Sequence, residues 1–331
     1  MPLIFFVVSV AAIVCAAGWL TGCSTPARDP ASPIAVAAPS AAPGPPADGL
    51  AVALPDPSPR LPAAAFDADV LLLGEVHDNG AQHAIRARWL AELVAARRFA
   101  LLLEQFDRAS QPAIDAALRD GVPPRELAER AGFRFAGWQW SFYEPYLRLA
   151  IDSRLPLAGG NLSSAELMAI ARGQRPAPEL MTAPGVDWRD VDEAAMRAAI
   201  DAGHCGKMPA SALDRMIVAQ RARDAGLAQT VLDAHRRTGL PVVVLAGNGH
   251  VRRDLGAPRY LRAAWPQARI VSIGFEEAAT TTADPAAAGE RGRAADAGGA
   301  ASTGSAPRYD GEILTAAQPR PDPCAAFESR R

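Results

Sequence analysis

The sequence predicts an α/β fold with a mainly parallel central sheet, flanked by helices and carrying a helical insertion. Its short apolar runs are continuous rather than alternating, which is typical of strands buried on both faces. They alternate with segments whose apolar residues recur at helical spacing, as expected of a parallel sheet. The chain has 331 residues, 49% of them hydrophobic, so it can bury a sizeable core.

Five apolar runs are predicted strands, and a later segment is a candidate for one more. In chain order they are 70–73, 99–103, 156–160, 242–246 and 268–273, followed by 309–315. Each of the three strongest runs, the first, second and fourth, leads directly into polar residues.

The segments between the runs predict helices. Apolar residues at helical spacing indicate one over 81–98, and Ser110 is a plausible N-cap for the next. A short helix is expected over 124–131. Residues 163–236 are almost wholly helical in character, with breaks near 173–186 and 203–209. Because this stretch is too long for one crossover, we interpret it as a helical subdomain.

Charge, cysteine and proline content narrow the class of protein. The formal net charge is −2, whereas nucleic-acid-binding domains usually carry a basic excess. Four cysteines in 331 residues exclude a disulfide-rich scaffold. The chain also has 27 glycines and 29 prolines, and their excess lies in two segments outside the predicted domain.

The N-terminus resembles a bacterial lipoprotein signal. An uncharged apolar stretch over 2–20 leads into L-T-G-C, similar to a lipobox, with Cys23 as its cysteine. The resemblance implies that residues 1–22 are a cleaved signal peptide and that Cys23 is acylated, which would anchor the protein to a membrane surface. Ser24 follows instead of Asp, which favours the outer membrane. Because the stretch is long enough to span a bilayer, an uncleaved anchor is the alternative.

Composition predicts the remaining organisation. Residues 23–62 are rich in proline and alanine and predict a semi-extended tether. The α/β domain is expected over 63–276, including the helical subdomain at about 163–236. An Ala/Gly-rich segment, 277–306, is predicted to be flexible, and 307–331 to hold the last strand and a tail.

Polar side chains follow the strongest strands where each ends. Glu75 and His77 follow the first, Glu104 the second, and Asn248 and His250 the fourth. The carboxyl ends of parallel strands share one edge, where ligands bind, so we expect Glu75, His77, Glu104 and His250 to line one cleft. The alternative is that these histidines are only hydrogen-bonded.

Two histidines and two glutamates have the donor types of a divalent metal site, with His77 and His250 as its ligands. A carboxylate among them could also act as general base towards a bound water.

Six motifs together resemble the ChaN family, within the haem-binding uptake, Tiki, TraB and erythromycin-esterase-like superfamily. They lie in the expected order and cover most of 68–275: L-L-L-G-E-V-H-D-N at 71–79, L-L-L-E-Q-F at 101–106, W-S-F-Y-E-P-Y at 140–146, H-C-G-K-M-P at 204–209, A-Q-R-A-R-D at 219–224 and G-N-G-H-V-R-R-D-L-G-A-P at 247–258.

The resemblance implies a membrane-anchored lipoprotein that binds haem and takes part in haem or iron uptake or storage. Haem would be its ligand, haem-uptake machinery a possible partner and a homodimer a possible assembly. More distant superfamily members use two Gly-x-x-His motifs and a glutamate for hydrolysis. The alternative function is therefore a metal-dependent hydrolase using Glu75, His77, Glu104 and His250, and whether the protein is an enzyme stays open.

Further residues are candidates for the same cleft. Asn161 ends the third predicted strand, His204 lies in a loop between helices, and Arg223 could pair with a propionate or a carboxylate. His83 could line the cleft mouth. Seven aromatic residues over 133–146 could form a wall for a porphyrin, with core packing as the alternative. The axial ligand could be a histidine, a tyrosine or a methionine.

Two cysteines remain once Cys15, in the signal peptide, and the acylated Cys23 are set aside. In an exported protein they suggest one disulfide, between Cys205 and Cys324. The alternative is a free Cys205 that serves as a soft ligand.

Overall fold

The computed structural model describes residues 59–176, 193–278, 307–322 and 324–325, which all belong to one unit, Leu54–Arg331. The predicted signal peptide, Cys23, most of the predicted tether and residues 279–306 lie outside the described residues. Within the described ranges, no helix combines the length and the apolar character needed to cross a membrane.

A six-stranded sheet forms the centre of the fold. Every strand pairing is parallel, and the strand order is β3-β2-β4-β1-β5-β6. This confirms the predicted α/β class. The strands are β1 Val70–Leu73, β2 Ala100–Asp107, β3 Leu157–Asn161, β4 Val242–Leu245, β5 Ile270–Glu277 and β6 Gly311–Thr315.

Two strands run further than the sequence predicts. β2 continues through Glu104 to Asp107, so Glu104 lies within the strand and not after it. Its pairing with β3 shifts register between Leu103 and Asp107, which lets the strand continue beyond its apolar part. β5 extends to Glu277 and pairs with β6 over this extension, so the strand crosses the predicted domain boundary at 276.

Helices occupy most of the connections between strands. They are α1 Ala63–Asp67, α2 Gly80–Ala96, α3 Gln111–Asp120, α4 Pro124–Arg130, α5 Trp140–Asp152, α6 Ser164–Ala171, α7 Glu193–Ala202, α8 Ala210–Thr238, α9 Asn248–Val251 and α10 Ala257–Ala264. The described part of 163–236 is mostly helical, in α6, α7 and α8. Ser110 is at the N-cap position of α3, but its side chain makes no capping hydrogen bond.

Helix α5 was not predicted from the sequence. Its aromatic residues and the internal Pro145 are poor helix formers, yet Tyr143, Tyr146, Leu147 and Ala150 recur at helical spacing and are buried. Tertiary packing of this face therefore outweighs the weak local preference.

Both faces of the sheet are covered. Leu71, Leu101 and Val243 point into a core that includes Trp89 of α2 and Tyr143 of α5. Alternate strand residues, such as Leu72, Leu102 and Val244, point to the opposite side and pack on α8 and α10. This double burial explains why the strands are continuous apolar runs.

The described part of the structure begins within the last residues of the predicted tether. Leu61 is buried, and the indole nitrogen of Trp89 donates to the carbonyl oxygen of Pro59 at 2.9 Å. These contacts fasten the chain to α2 just before α1.

Candidate functional site

The carboxyl ends of β2, β4 and β1 are adjacent at the centre of the sheet. The backbone N–H of Gly247, after β4, donates to a carboxylate oxygen of Glu104 at 2.7 Å. The backbone N–H of Asn248 donates to the carbonyl oxygen of Glu75 at 3.0 Å. Strand ends that are distant in sequence are thus tied directly together.

His250 lies between two carboxylates. Its Nδ1 is 2.6 Å from Asp224 Oδ1, and its Nε2 is 3.5 Å from Glu104 Oε1. Burial opposes a charged imidazole, but Glu104 and Asp224 outweigh it and raise the pKa of His250 to about 10. Burial likewise opposes ionisation of Glu104, but His250 lowers the pKa of that carboxyl to about 2. The group is a buried imidazolium held by acidic partners from β2 and α8.

Glu75 is the centre of a second buried cluster. Its Oε1 accepts from the phenol of Tyr143 and lies next to His77 Nδ1, each at 2.6 Å. Its Oε2 forms a salt bridge with the fully buried guanidinium of Arg86. Burial alone would raise the pKa of Glu75, but the charge of Arg86 overcomes it and lowers that pKa well below its usual range.

His77 links the Glu75 cluster to the surface. Its side chain is 32% exposed, and the edge of its ring meets Trp138 at a centroid distance of 4.8 Å. Burial lowers the pKa of His77, but the hydrogen bond and the charge of Glu75 raise it above the usual value overall. Of its two ring nitrogens, only Nδ1 has a hydrogen-bond partner among the described residues.

His83 belongs to the core and does not line the cleft mouth, contrary to the sequence-based hypothesis. Its ring stacks on Phe142 at 4.5 Å, and its two nitrogens lie 3.0 Å from the phenol of Tyr146 and from the carbonyl oxygen of His77. Burial lowers the pKa of His83 to about 4, so the ring is neutral. Its hydrogen bond to the carbonyl oxygen of His77 holds the backbone there in place.

Asn248 and Asn161 differ in the hydrogen bonds that their side chains make. The amide of Asn248 bonds both the N–H and the carbonyl of Phe275 in β5, so it braces the loop after β4. Asn161 is buried at the end of β3, and its Oδ1 has no partner among the described residues. The same holds for Oε1 of Gln105 in β2.

The remaining predicted cleft residues lie on the helical segment. His204 is buried between α7 and α8, with Nδ1 2.5 Å from the carbonyl oxygen of Ile200. Arg223 is next to Asp224 on α8 but forms no salt bridge with a described carboxylate. The described contacts of α8 with His250 come from Asp224 and Gln220.

The C-terminal tail crosses the ends of β1 and β5. Arg320 bonds the carboxylates of both Asp78, directly after His77, and Glu277 at the end of β5. A disulfide then joins Cys205 to Cys324, with a Cα–Cα distance of 5.7 Å. Cys205 is thus not a free thiol in the structure.

The aromatic segment 133–146 is mainly core. Phe133, Trp138, Tyr143 and Tyr146 are buried, while Phe135, Trp140 and Phe142 are partly exposed. A porphyrin wall made of all seven rings is therefore not formed, although the partly exposed ones leave apolar surface.

Metal ligation would compete with the existing ion pairs. In the part of the chain that the structure describes, no group of three or more His, Cys, Asp or Glu is arranged to hold a metal ion. Both nitrogens of His250 face carboxylates, whereas Nε2 of His77 has no hydrogen-bond partner among the described residues.

The sequence did not reveal Arg86, and it indicated Tyr143 only as one of the aromatic residues over 133–146. Arg86 lies on the buried face of α2 between Ile85 and Trp89. An arginine among apolar helix positions such as Ile85 and Trp89 is the signal that could have identified it, because a buried charge needs a partner.

A sequence model of the family described as "Haem-binding uptake, Tiki superfamily, ChaN" matches residues 61–261. The chain belongs to this family. The match includes every residue of both clusters, from Glu75 to His250. No curated protein matched the chain in a sequence comparison.

Solved structures also resemble the chain. The structure entitled "Cofacial heme binding to ChaN of Campylobacter jejuni" is 22% identical, with 63% of this chain and 82% of that one covered and a TM-score of 0.54. An open-conformation variant of the erythromycin esterase EreC is 15% identical, with coverages of 64% and 71% and a TM-score of 0.38. At this identity, the ChaN-family likeness shows a shared fold.

Proposed function

We propose that this protein is a membrane-anchored haem-binding lipoprotein that acts in haem or iron uptake or storage. The observation that carries the proposal is the match to a haem-binding family over 61–261, which spans the whole polar edge of the sheet. The ChaN of Campylobacter jejuni, which shares the fold, shows cofacial heme binding.

The residues at this edge fit haem. Haem needs apolar surface around its porphyrin and an axial donor to its iron. When bound, the haem supplies that iron as a redox-active centre. Partly exposed Trp140 and Phe142 supply apolar surface, and His77 supplies an accessible imidazole. Gly247 packs against the same ring, since a Cβ at this position would come within 3.0 Å of His77 Nε2.

The haem content of the protein tests this proposal. The full chain would be purified from cells supplied with haem, and bound haem would be measured as its pyridine haemochrome. We expect at least about one haem per chain, because a specific site binds haem stoichiometrically. A haem content at the level of an unrelated control lipoprotein would contradict the proposal.

Lipid anchoring at the outer membrane is the second part of the proposal. It is supported by the L-T-G-C motif and by Ser24 after the cysteine. Cells fed labelled palmitate should label the wild-type chain but not Cys23→Ala, and fractionation should place only the wild type in the outer membrane. An equally labelled variant would contradict acylation at Cys23. Haem-uptake machinery and a second copy of the chain are the partners we propose.

A metal-dependent hydrolase is the second candidate, favoured by one observation. The space over Gly247 is bordered by His77 Nε2 and Glu104 Oε2, which lie 3.0 and 3.6 Å from the position of a Cβ there. A histidine and a carboxylate around one small space could hold a metal or activate a water. Turnover of ester or peptide substrates that disappears in His77→Ala would favour it, and a metal content near zero would oppose it.

A further inference from the structure

We propose that residues 316–322 and Cys324 form a redox-sensitive strap, which ties two walls of the cleft together and limits the exchange of its ligand. One wall is the loop after β1, where Asp78 follows His77, and the other is the helix pair α7 and α8. The inference rests on the haem-binding function proposed above and adds a control of ligand entry and release.

The strap starts from a fixed point at the end of β6. The side-chain amide of Asn79 donates to the carbonyl oxygen of Ala316 at 3.0 Å, and that of Gln82 donates to the hydroxyl of Thr315 at 3.0 Å. Asn79, Gln82 and Thr315 are all buried. Residues 319–322 are exposed, so the strap is held beyond this point by its own attachments and not by burial.

The first of these attachments is ionic and lies on the loop after β1. Arg320 bonds both carboxylate oxygens of Asp78, each at 2.6 Å, and bonds Glu277 at 2.6 and 2.8 Å. The backbone N–H of Gln318 donates to the same glutamate at 3.2 Å. Because the guanidinium and the Asp78 carboxylate reach the surface, water and salt weaken their attraction. The ionic attachment is therefore reversible.

The second attachment is covalent and lies on the other wall. A disulfide joins Cys324 to Cys205, in the loop between α7 and α8. Cys324 is four positions beyond Arg320, and an extended chain of that length spans at most about 14 Å. With the Cα–Cα distance of 5.7 Å across the disulfide, Cys205 lies within about 20 Å of Arg320. The strap therefore sets an upper limit on the separation of the two walls.

The helix pair has little other apolar packing near its loop. In the described part of the chain, α7 and the first turns of α8 share a buried cluster of Met196, Leu213, Ile217 and Leu255, and of these only Leu255 lies outside the two helices. The later part of α8 packs instead on the sheet, in the large core. Segments with few buried apolar contacts open locally at low cost. This end of the wall can therefore move when the strap is released.

The backbone of Cys205 gives the loop a further reason to move. Cys205 has φ 61°, in the left-handed region that residues other than glycine seldom adopt. Such a conformation persists only where the surrounding structure enforces it, and the disulfide is one such constraint. Once the bond is reduced, the loop between α7 and α8 is free to relax.

The two walls hold the polar residues of the cleft between them. His77 lies on the first wall, and Asp224 of the second holds His250. A molecule as broad as a porphyrin has to pass between the walls, so their separation controls how fast it enters and leaves. With the disulfide formed, the strap keeps the cleft narrow and retains the ligand. Without the disulfide, only the ionic attachment remains and the walls separate more often.

A dithiol, either a small reagent or an oxidoreductase with two active thiols, would release the strap. One of its thiolates attacks the disulfide, forms a mixed disulfide and expels the other cysteine as a thiol. Its second thiol then closes a disulfide within the dithiol and frees the remaining cysteine. Two electrons and two protons pass to Cys205 and Cys324, and the dithiol is oxidised. Both cysteines are partly exposed, so a dithiol can reach them.

The first test measures haemin release from the full chain. The haemin-loaded protein is mixed with excess apomyoglobin, and the transfer is followed by absorbance. Release should be at least about 10-fold faster after reduction with dithiothreitol and its removal without air, because a released strap acts mainly on the dissociation rate. Cys205→Ser combined with Cys324→Ser should release haemin at that faster rate, with or without dithiothreitol. Arg320→Ala keeps the disulfide and should change the rate less.

A matched control separates opening of the cleft from loss of stability. Val231 is buried where α8 packs on the sheet, away from the strap. Val231→Ala should lower the unfolding midpoint through lost packing, yet release haemin at the wild-type rate. Equal release rates in the oxidised, reduced and double-serine chains would overturn the strap. Release from Val231→Ala as fast as from the double-serine chain would overturn it too.

Amide hydrogen exchange tests the strap without haemin. Reduction should speed exchange in the loop 74–79 and in α7, while β4, at the centre of the sheet, stays protected. Unchanged exchange in both segments would overturn the strap. A wild-type chain that does not bind haemin would instead contradict the proposed function, and the exchange result would still decide whether the strap holds the two walls.

Discussion

The ring of His77 lies against the backbone of Gly247, so closely that a Cβ at residue 247 would come within 2.9 Å of the imidazole. This contact joins the two Gly-x-x-His motifs, one after β1 and the other after β4. The N–H of the same glycine also holds Glu104. Gly247 is therefore the point where the Glu75 and His250 clusters meet.

A methyl group at this position should disturb His77 without straining the backbone. Gly247 has φ −60° and ψ 150°, which alanine adopts easily, so the effect of Gly247→Ala is steric. We expect a loss of about 1–3 kcal/mol of unfolding free energy, measured in urea, together with weaker haemin binding.

Gly74→Ala is the matched control for that prediction. Its Cβ would lie 2.1 Å from the side chain of Asn248, so the fold should lose stability without a direct clash with His77. Wild-type stability and haemin affinity in Gly247→Ala would contradict the close packing of His77 on Gly247.

The charge on His250 should depend on Asp224. Because Asp224 bonds Nδ1 and stabilises the protonated ring, Asp224→Asn should lower the pKa of His250 by about 1–2 units. An NMR titration of the histidine Cε1 protons measures this directly. Gln220→Ala, which removes a neutral neighbour 3.2 Å from the same nitrogen, should shift the pKa less. A pKa near 6.5 in the wild type would contradict the two-carboxylate arrangement.

The pairing of His250 with Glu104 should contribute fully to stability only between about pH 4.5 and 6.5. The pKa of His250 is raised from 6.5 to about 10, so its contribution is complete below pH 6.5 and disappears as the pH rises towards 10. The pKa of Glu104 is lowered from 4.5 to about 2, so its contribution is complete above pH 4.5 and disappears as the pH falls towards 2. Thermal unfolding followed by circular dichroism between pH 2 and 10 should show an acid limb, where the melting temperature falls below pH 4.5, and an alkaline limb, where it falls above pH 6.5. His250→Gln should flatten the alkaline limb, and an unchanged alkaline slope would contradict the assignment.

The disulfide should stabilise the fold. It closes a long loop, with a sequence separation of 119, so replacing both Cys205 and Cys324 by serine should cost about 2–4 kcal/mol in urea denaturation. Dithiothreitol should lower the wild-type midpoint to that of the double variant and leave the variant unchanged. Non-reducing peptide mapping that found no cross-linked peptide would contradict the pairing.

The strands were predictable because their burial on both faces is visible in the sequence. The runs that became β1 and β4 are apolar throughout, and their polar ends marked the edge where Glu75, His77 and His250 meet. The extension of β2 past Glu104 was not predictable, because a charged residue there resembles the end of a strand.

The supporting residues could not be derived from local pattern alone. Arg86 shares the buried face of α2 with Gln82 and His83, and Tyr143 lies on the buried face of α5. Only the packing of these two helices on the sheet brings Arg86 and Tyr143 to Glu75. Asn248 was expected to line the cleft, yet it bonds the backbone of Phe275. Such pairings depend on which strands become neighbours, and strand order is a tertiary property.

Titration of the full chain with haemin, followed by its Soret absorbance, tests the central claim most directly. The account predicts a saturable, stoichiometric change in the wild type that is altered in Gly247→Ala, because the glycine lies beside His77. A wild-type titration without saturation, in a chain that retains tightly bound zinc or manganese, would contradict haem binding and favour the hydrolase.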